Sequence, residues 1–378
     1  MRILYRNQKG RDVTQHSYSG GGDFSCPRRY FHKRVQGWRE KEERAALKFG
    51  CAVEDAIQFH HSQNFEKGTG VDEFKQIWLR SEHDSDITWT EASGDWKAHY
   101  GMGAKMLRLY EIMRPRLPLD NAIFQQKIVT SLFTGTDYEG LEHIAKLDII
   151  SEPRWDHPML PPIPENGKTR KVIIDLKTAN ASYFKDPRLA SLDRQLREYS
   201  WATGIETVAF LVLIKNVSEI GTGHSVTLLE EVSGLEVGES YSVLDTTKEY
   251  VILLGNRSEY EGYQRRKSEI KGKGAESRKT DLLAEYIFKG VKVPKEYLTK
   301  CRIQFLPALI SDEARQSAEV KIKEEAIEIS DCTEKNFFPQ NPGVRFPHSV
   351  CGSCDCLGFC LGDEKLVHER LVQITEDF

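Results

Sequence analysis

Residues 171–178 read Lys-Val-Ile-Ile-Asp-Leu-Lys-Thr. A short unbroken apolar run, here Val172, Ile173 and Ile174, marks a strand buried on both faces. An acid and a lysine at the end of such a strand are costly unless they have partners. The same spacing of acid, any residue and lysine recurs at Glu73–Lys75, Asp95–Lys97, Glu269–Lys271, Glu319–Lys321 and Asp363–Lys365. Those five fall in helical or polar stretches, where they read as solvated charges. Asp175 and Lys177 alone follow a buried-strand run.

Outward from this segment the texture is regular. Residues 122–133 alternate as a strand, 143–151 form a second, 171–178 the third and 207–215 a fourth. A helix is expected at 192–203. Upstream, helices are expected from about Cys26, over 47–63 and over 90–114, where Pro115 ends the last. Helices followed by strand, strand, strand, helix, strand imply an α/β core with a mixed central sheet flanked by helices. The polar residues 1–22, closing on Ser-Gly-Gly-Gly, read as a loose N-terminal arm. Residues 23–215 read as the core with its helical N-terminal part. Residues 216–300 read as an insertion with weak strands at 225–231 and 250–254 and a charged helix from about Ser258. Residues 301–378 hold a charged helix over 311–329 and a cysteine-rich tail.

A second acid, Asp148, stands near the end of the apolar strand 143–151. Two neighbouring strands that bring two carboxylates together need a cation between them, and a hard divalent ion such as Mg²⁺ suits oxygen ligands. Gln195 and Tyr199, spaced i and i+4, share one face of the following helix.

In this order the motifs resemble the RecB-like branch of the PD-(D/E)XK nucleases. Phe49-Gly-Cys-Ala-Val-Glu54 matches that family's early helix, Ala145-Lys-Leu-Asp148 the first strand motif, Asp175-Leu-Lys-Thr178 the second, and Gln195-Leu-Arg-Glu-Tyr199 the last. The match covers roughly residues 24–215 and resumes at the tail. Many relatives carry His where this chain has Glu54, and Glu is commoner than Asp at position 175. The resemblance implies a restriction-endonuclease-like core. It implies Mg²⁺ or Mn²⁺ held by Glu54, Asp148, Asp175 and the Leu176 carbonyl. It gives Lys177 to the water or the phosphate charge, and Gln195 and Tyr199 to positioning.

The chain has eight cysteines, four of them between Cys351 and Cys360. Clustered thiols point to metal rather than disulfides in a reducing compartment, and Cys351-x-x-Cys354 is chelate spacing for zinc or iron–sulfur. Cys51, Cys301 and Cys332 read as plain buried thiols. Cys26 lies near the other end of the chain. This arrangement is similar to the iron–sulfur members of the group, AddB-type subunits and CRISPR-associated Cas nucleases. That resemblance implies a structural [4Fe-4S] cluster on Cys26, Cys351, Cys354 and Cys360, with Cys356 spare and the cysteine cluster packed back on the N-terminus. Four thiolates on Zn²⁺ are the alternative.

Hydrophobic residues make up 39% of the chain and charged residues 29%, enough for a core. The net charge of −4 does not announce a polyanion binder, although basic stretches at 28–44 and 265–279 leave room for a local one. No GxxxxGK[ST] loop is present, so no NTP-driven motor is expected. No apolar run suits a membrane span, and residues 1–12 lack a secretory core, so an intracellular location is expected: cytoplasm, or host cytoplasm if viral. The expected function is a metal-dependent deoxyribonuclease, an exonuclease or end-processing enzyme on single strands or duplex ends. A flap or branched-DNA endonuclease, or a catalytically weak DNA-binding subunit of a recombination or repair complex, is the alternative.

Overall fold

The structure is a computed structural model that describes residues 15–81, 87–89, 95–163, 167–179, 187–215, 224–245, 249–253, 256–340, 344–345, 348–349, 351 and 354–374. Its centre is a mixed sheet built from β1 (Gln15–Ser17), β2 (Ile123–Ser131), β3 (Glu142–Ser151), β4 (Val172–Ala179), β5 (Thr207–Ile214) and a further strand, Arg302–Leu309. β4 and β5 run parallel, joined through the helix Arg194–Thr203, while β3 is antiparallel to β4 and Arg302–Leu309 antiparallel to β5. The fold is therefore mixed α/β.

Side-chain parity divides the core. Val172, Ile174 and Leu176 face one layer with Ala209, Leu211 and Leu213, packed on the helices Ala45–Ser62, Thr69–Arg80 and Trp96–Met113. Ile173 faces the other with Val208, Phe210 and Val212, against Leu196 and Tyr199 of Arg194–Thr203. Burial on both faces is why these strands read as continuous apolar runs.

β3 is forked. One of its edges pairs with β2 along nearly its whole length. The other edge is shared: residues 142–144 pair in parallel with β1, and 149–151 pair with β4. Residues 145–148 lie in the gap between those partners.

Four sequence expectations change. The loose arm is corrected over residues 15–22, because β1 joins the sheet and Tyr18–Phe24 is helical with Ser17 as its cap. The glycines belong there: a methyl on Gly21 would crowd the side chains of Glu325, Arg194 and His16. Residues 1–14 lie outside the described residues. The strand Arg302–Leu309 was unexpected; Pro307 obscures it, yet this edge strand tolerates a residue without an N–H. The helix Thr69–Arg80 was also unexpected. The helix expected over 90–114 begins at Trp96, where the Asp95 side chain accepts from the Ala98 amide; residues 90–94 lie outside the described ones. The other acid-x-lysine pairs do sit on helices or at their caps, Glu73 and Glu319 within helices and Asp95 and Asp363 as N-caps.

Residues 224–299 carry a second sheet of five strands, among them Ser240–Asp245, which sequence reading missed. It docks on the helix Trp96–Met113 through Arg108 to Glu230 and through Lys105 Nζ, which donates to the carbonyls of Lys295 and Leu298. Among the described residues no helix is long and apolar enough to cross a membrane.

Candidate active site at the fork of the sheet

Asp175 follows Ile173 in parity, so it faces the layer of Arg194–Thr203 and is 0% exposed. Lys177 Nζ lies 2.6 Å from Asp175 Oδ2 as an ion pair, yet neither carboxylate oxygen receives a hydrogen bond of good geometry. Asp148 sits at the inner end of the gap in β3, and its Oδ2 accepts from the Leu176 amide at 2.9 Å. Glu54 reaches the same region from the opposite layer. Its helix comes close to the end of β4, where a methyl on Gly50 would lie 3.3 Å from Thr178 Oγ1. The Glu54 carboxylate accepts from the Gln125 amide side chain. Gln125 occupies a left-handed backbone conformation, φ 51°, inside β2, skipped by the ladder that pairs Phe124 with Ile149 and Gln126 with Leu147. Sequence reading missed Gln125; the ladder resumes in the same register beyond it, and a single left-handed residue inside a strand has no apolar signature.

Burial pushes all three acids up. Glu54 is raised to about 7, first by burial and then by the charges of Asp148 and Asp55. Asp148 is raised by burial against the pull of the Leu176 amide. Asp175 is raised by burial and by Asp148, with Lys177 opposing. Burial lowers the Lys177 ammonium, but Asp175, Asp148 and Asp193 overcome this and the net shift is upward. Lys177 is thus a cation held beside a carboxylate.

The helix Arg194–Thr203 completes the arrangement. Asp193 caps it by accepting from the Leu196 amide. Lys177 Nζ donates to Gln195 Oε1 at 3.4 Å, and Gln195 Nε2 donates to the Tyr199 hydroxyl at 2.6 Å. Asp175, Lys177, Gln195 and Tyr199 therefore form one connected polar row. On the adjoining face of the helix Arg194 pairs with Glu198 and Glu325.

Among the described residues no three His, Cys, Asp or Glu side chains are arranged to hold a metal ion as they lie. The donor set nevertheless suits a hard divalent cation: two orphaned carboxylate oxygens on Asp175 and two further acids whose charges disfavour one another.

Among the described residues the cysteines expected to bind metal are not arranged as a ligand set either. The Cys360 thiol is raised by burial and by the neighbouring sulfurs of Cys26, Cys354 and Cys351. Cys354 is held down, first by a hydrogen bond from Cys356. Around them the two ends of the chain are joined. Asp355 pairs with Lys33 at 2.8 Å and with Arg29 at 3.3 Å, Phe359 stacks on His32 at 3.8 Å between ring centroids, and Leu371–Gln373 pairs antiparallel with Trp38–Glu40. Of the three thiols expected to be buried, Cys301 is, whereas Cys51 is exposed and Cys332 half-buried.

No protein-family model matches the chain, and no curated protein matches it. Among solved structures, a crystal structure named "Putative exonuclease", from Eubacterium rectale, aligns at 13% identity over 96% of this chain and 90% of its own, with a TM-score of 0.40. A second, named SSO0001, aligns at 13% identity over 46% of this chain and 62% of its own, with a TM-score of 0.19. Likenesses this loose establish neither a shared fold nor a shared activity.

Proposed function

We propose that the chain is a metal-dependent deoxyribonuclease of the PD-(D/E)XK kind. The observation that supports this best is the placement of Asp175: a fully buried carboxylate with no well-formed hydrogen bond, facing Lys177 and flanked by Asp148. A fold keeps such a charge only against a strong return.

Phosphodiester hydrolysis adds the oxygen of one water to phosphorus and breaks the bond to the leaving sugar oxygen with its electron pair. One water proton ends on that oxygen and the other in solvent. Glu54, Asp148, Asp175 and the Leu176 carbonyl would hold Mg²⁺ or Mn²⁺, which when bound would acidify water and polarise the phosphate. Lys177 supplies a positive charge to the phosphate oxygens as negative charge builds there. Gln195, bonded to both Lys177 and Tyr199, holds the ammonium in place. Asp148 binds the Leu176 amide and so fixes the backbone between the two residues of the second motif.

Cys26, Cys351, Cys354 and Cys360 would hold a structural [4Fe-4S] cluster, or Zn²⁺ as the second choice; the influence of Cys26, Cys351 and Cys354 on the Cys360 thiol supports the reading. Either would clasp the two ends of the chain.

The test is a time course on end-labelled single- and double-stranded DNA with Mg²⁺, Mn²⁺ or EDTA, alongside Asp175→Ala. Cleavage by the native chain that needs the divalent ion and vanishes in the variant supports the reading. DNA retention without cleavage, unchanged by EDTA, would move the chain to a binding subunit.

A further inference from the structure

Beside the carboxylates lies a cavity of about 370 Å³ whose walls include Tyr18, Tyr30, Arg34, Lys146, Gln195 and Tyr199. We propose, resting on the nuclease reading, that this cavity seats the terminal nucleotide of a DNA strand, so that the chain attacks strands at their ends.

The cavity and the acid site share a wall. Gln195 and Tyr199 line the cavity, and Gln195 also contacts Lys177, which contacts Asp175. Lys146 belongs to the gap in β3, two residues from Asp148, and lines the cavity. A strand with its phosphate at the acids thus has its neighbouring nucleotide at the cavity mouth.

The far end is closed by the fold. β1 is hydrogen-bonded to β3 at residues 142–144, and Ser17 turns the chain there into Tyr18–Phe24 by accepting from the Gly20 amide. A polynucleotide running along β3 from the acids meets this wall.

The lining suits a nucleotide. Tyr30 is held between Phe24 and Phe338, whereas Tyr18 has no aromatic neighbour among the described residues; the Arg194 guanidinium lies over its ring, 5.8 Å from the centroid, and a base would stack on this ring. Lys146 stands directly opposite Lys127 across β2 and β3, and neither has an acidic partner among the described residues. Like charges directly opposite are unfavourable in an isolated protein and favourable against a phosphate chain. The volume lies at the small-ligand end of binding sites, large enough for one nucleotide and too small for a duplex.

The experiment has two arms on the full chain. The first compares cleavage of linear and circular single-stranded DNA of equal length. The second measures binding of deoxyadenosine 5′-monophosphate, with inorganic phosphate and deoxyadenosine as probes of its halves, to Asp175→Asn and to the same protein carrying Tyr18→Ala or Lys146→Ala. The expected result is cleavage confined to the linear substrate, with Tyr18→Ala weakening mononucleotide and deoxyadenosine binding about tenfold. Lys146→Ala should weaken the mononucleotide and phosphate but not deoxyadenosine. Lys146 is exposed, so its variant keeps the test open if Tyr18→Ala unfolds. Equal cleavage of circular DNA overturns the end-seating proposal and leaves the nuclease reading intact. Mononucleotide binding indifferent to both substitutions removes the cavity from it. If no DNA is cleaved at all, the nuclease reading fails, and the binding arm alone decides whether the cavity takes nucleotides.

Discussion

The Leu176 amide donates to Asp148 Oδ2 at 2.9 Å. This bond spans the place where the ladder between β3 and β4 has ended, at Ile149 and Ile174. A side chain therefore replaces the sheet's own bonding, and the residue that does so is the acid of the first strand motif.

Asp175→Asn should remove cleavage by about 10³-fold or more if the acid holds the divalent ion. It should not lower the melting temperature in EDTA. It deletes a buried charge that no hydrogen bond of good geometry supports, and an amide of the same shape keeps the packing. Thermal melts alongside the DNA assay check both. A variant that is fully active sinks the catalytic assignment.

Lys177→Ala should lower kcat about 10²-fold with a smaller change in KM, since the ammonium acts on charge that develops in the transition state. It should also destabilise the metal-free protein, because Asp175 loses its only counter-charge within salt-bridge reach among the described residues. Added Mg²⁺ should recover part of that loss, read as a rise in melting temperature.

Acid should weaken the fold through His143, which is 0% exposed and packed against His16 and Trp201. Burial, then His16 and Arg194, lowers its pKa to about 3. Above pH 6.5 both folded and unfolded chains hold it neutral. Below that the unfolded chain takes a proton that the folded one refuses, so stability falls from about pH 6.5 towards pH 3. At pH 5 the cost is about 2 kcal/mol. Urea unfolding at pH 7.5 and 5 should show the native chain losing about 2 kcal/mol relative to His143→Gln over this range, because the buried acids, Glu54 raised to about 7 among them, gain stability on acidification in both proteins alike. Equal slopes in both proteins would show that the histidine has no such role.

Two glycines on one helix should respond in opposite directions. Gly103→Ala drives a methyl into the ring of Phe74, which is 0% exposed and stacked on Trp78, and should cost about 1–3 kcal/mol. Gly101→Ala meets nothing within 4 Å and should stabilise by up to about 1 kcal/mol. Denaturant midpoints of the two variants decide it.

Cys360→Ser or Cys26→Ser should lose bound iron, the brown colour near ~400 nm and several degrees of melting temperature if the sulfurs hold a cluster. Cys356→Ser should retain the metal. Zinc at one per chain, with no colour, would select the tetrahedral alternative.

The local pattern of residues determined much here by itself. Apolar runs at 172–174 and 207–214 announce strands buried on both faces, because covered strands have no polar side to alternate. The i, i+4 pair Gln195 and Tyr199 announces a shared helix face, and their hydrogen bond follows. Tertiary structure alone decided the rest. The return of Gln15–Ser17 to the edge of β3, which makes the fork, and the reach of Gln125 to Glu54 depend on partners 127 and 71 residues apart. The cavity is enclosed by residues from both sides of that fork. Local sequence records propensity and burial, while a site made where a sheet splits is set by which distant strands compete for one edge.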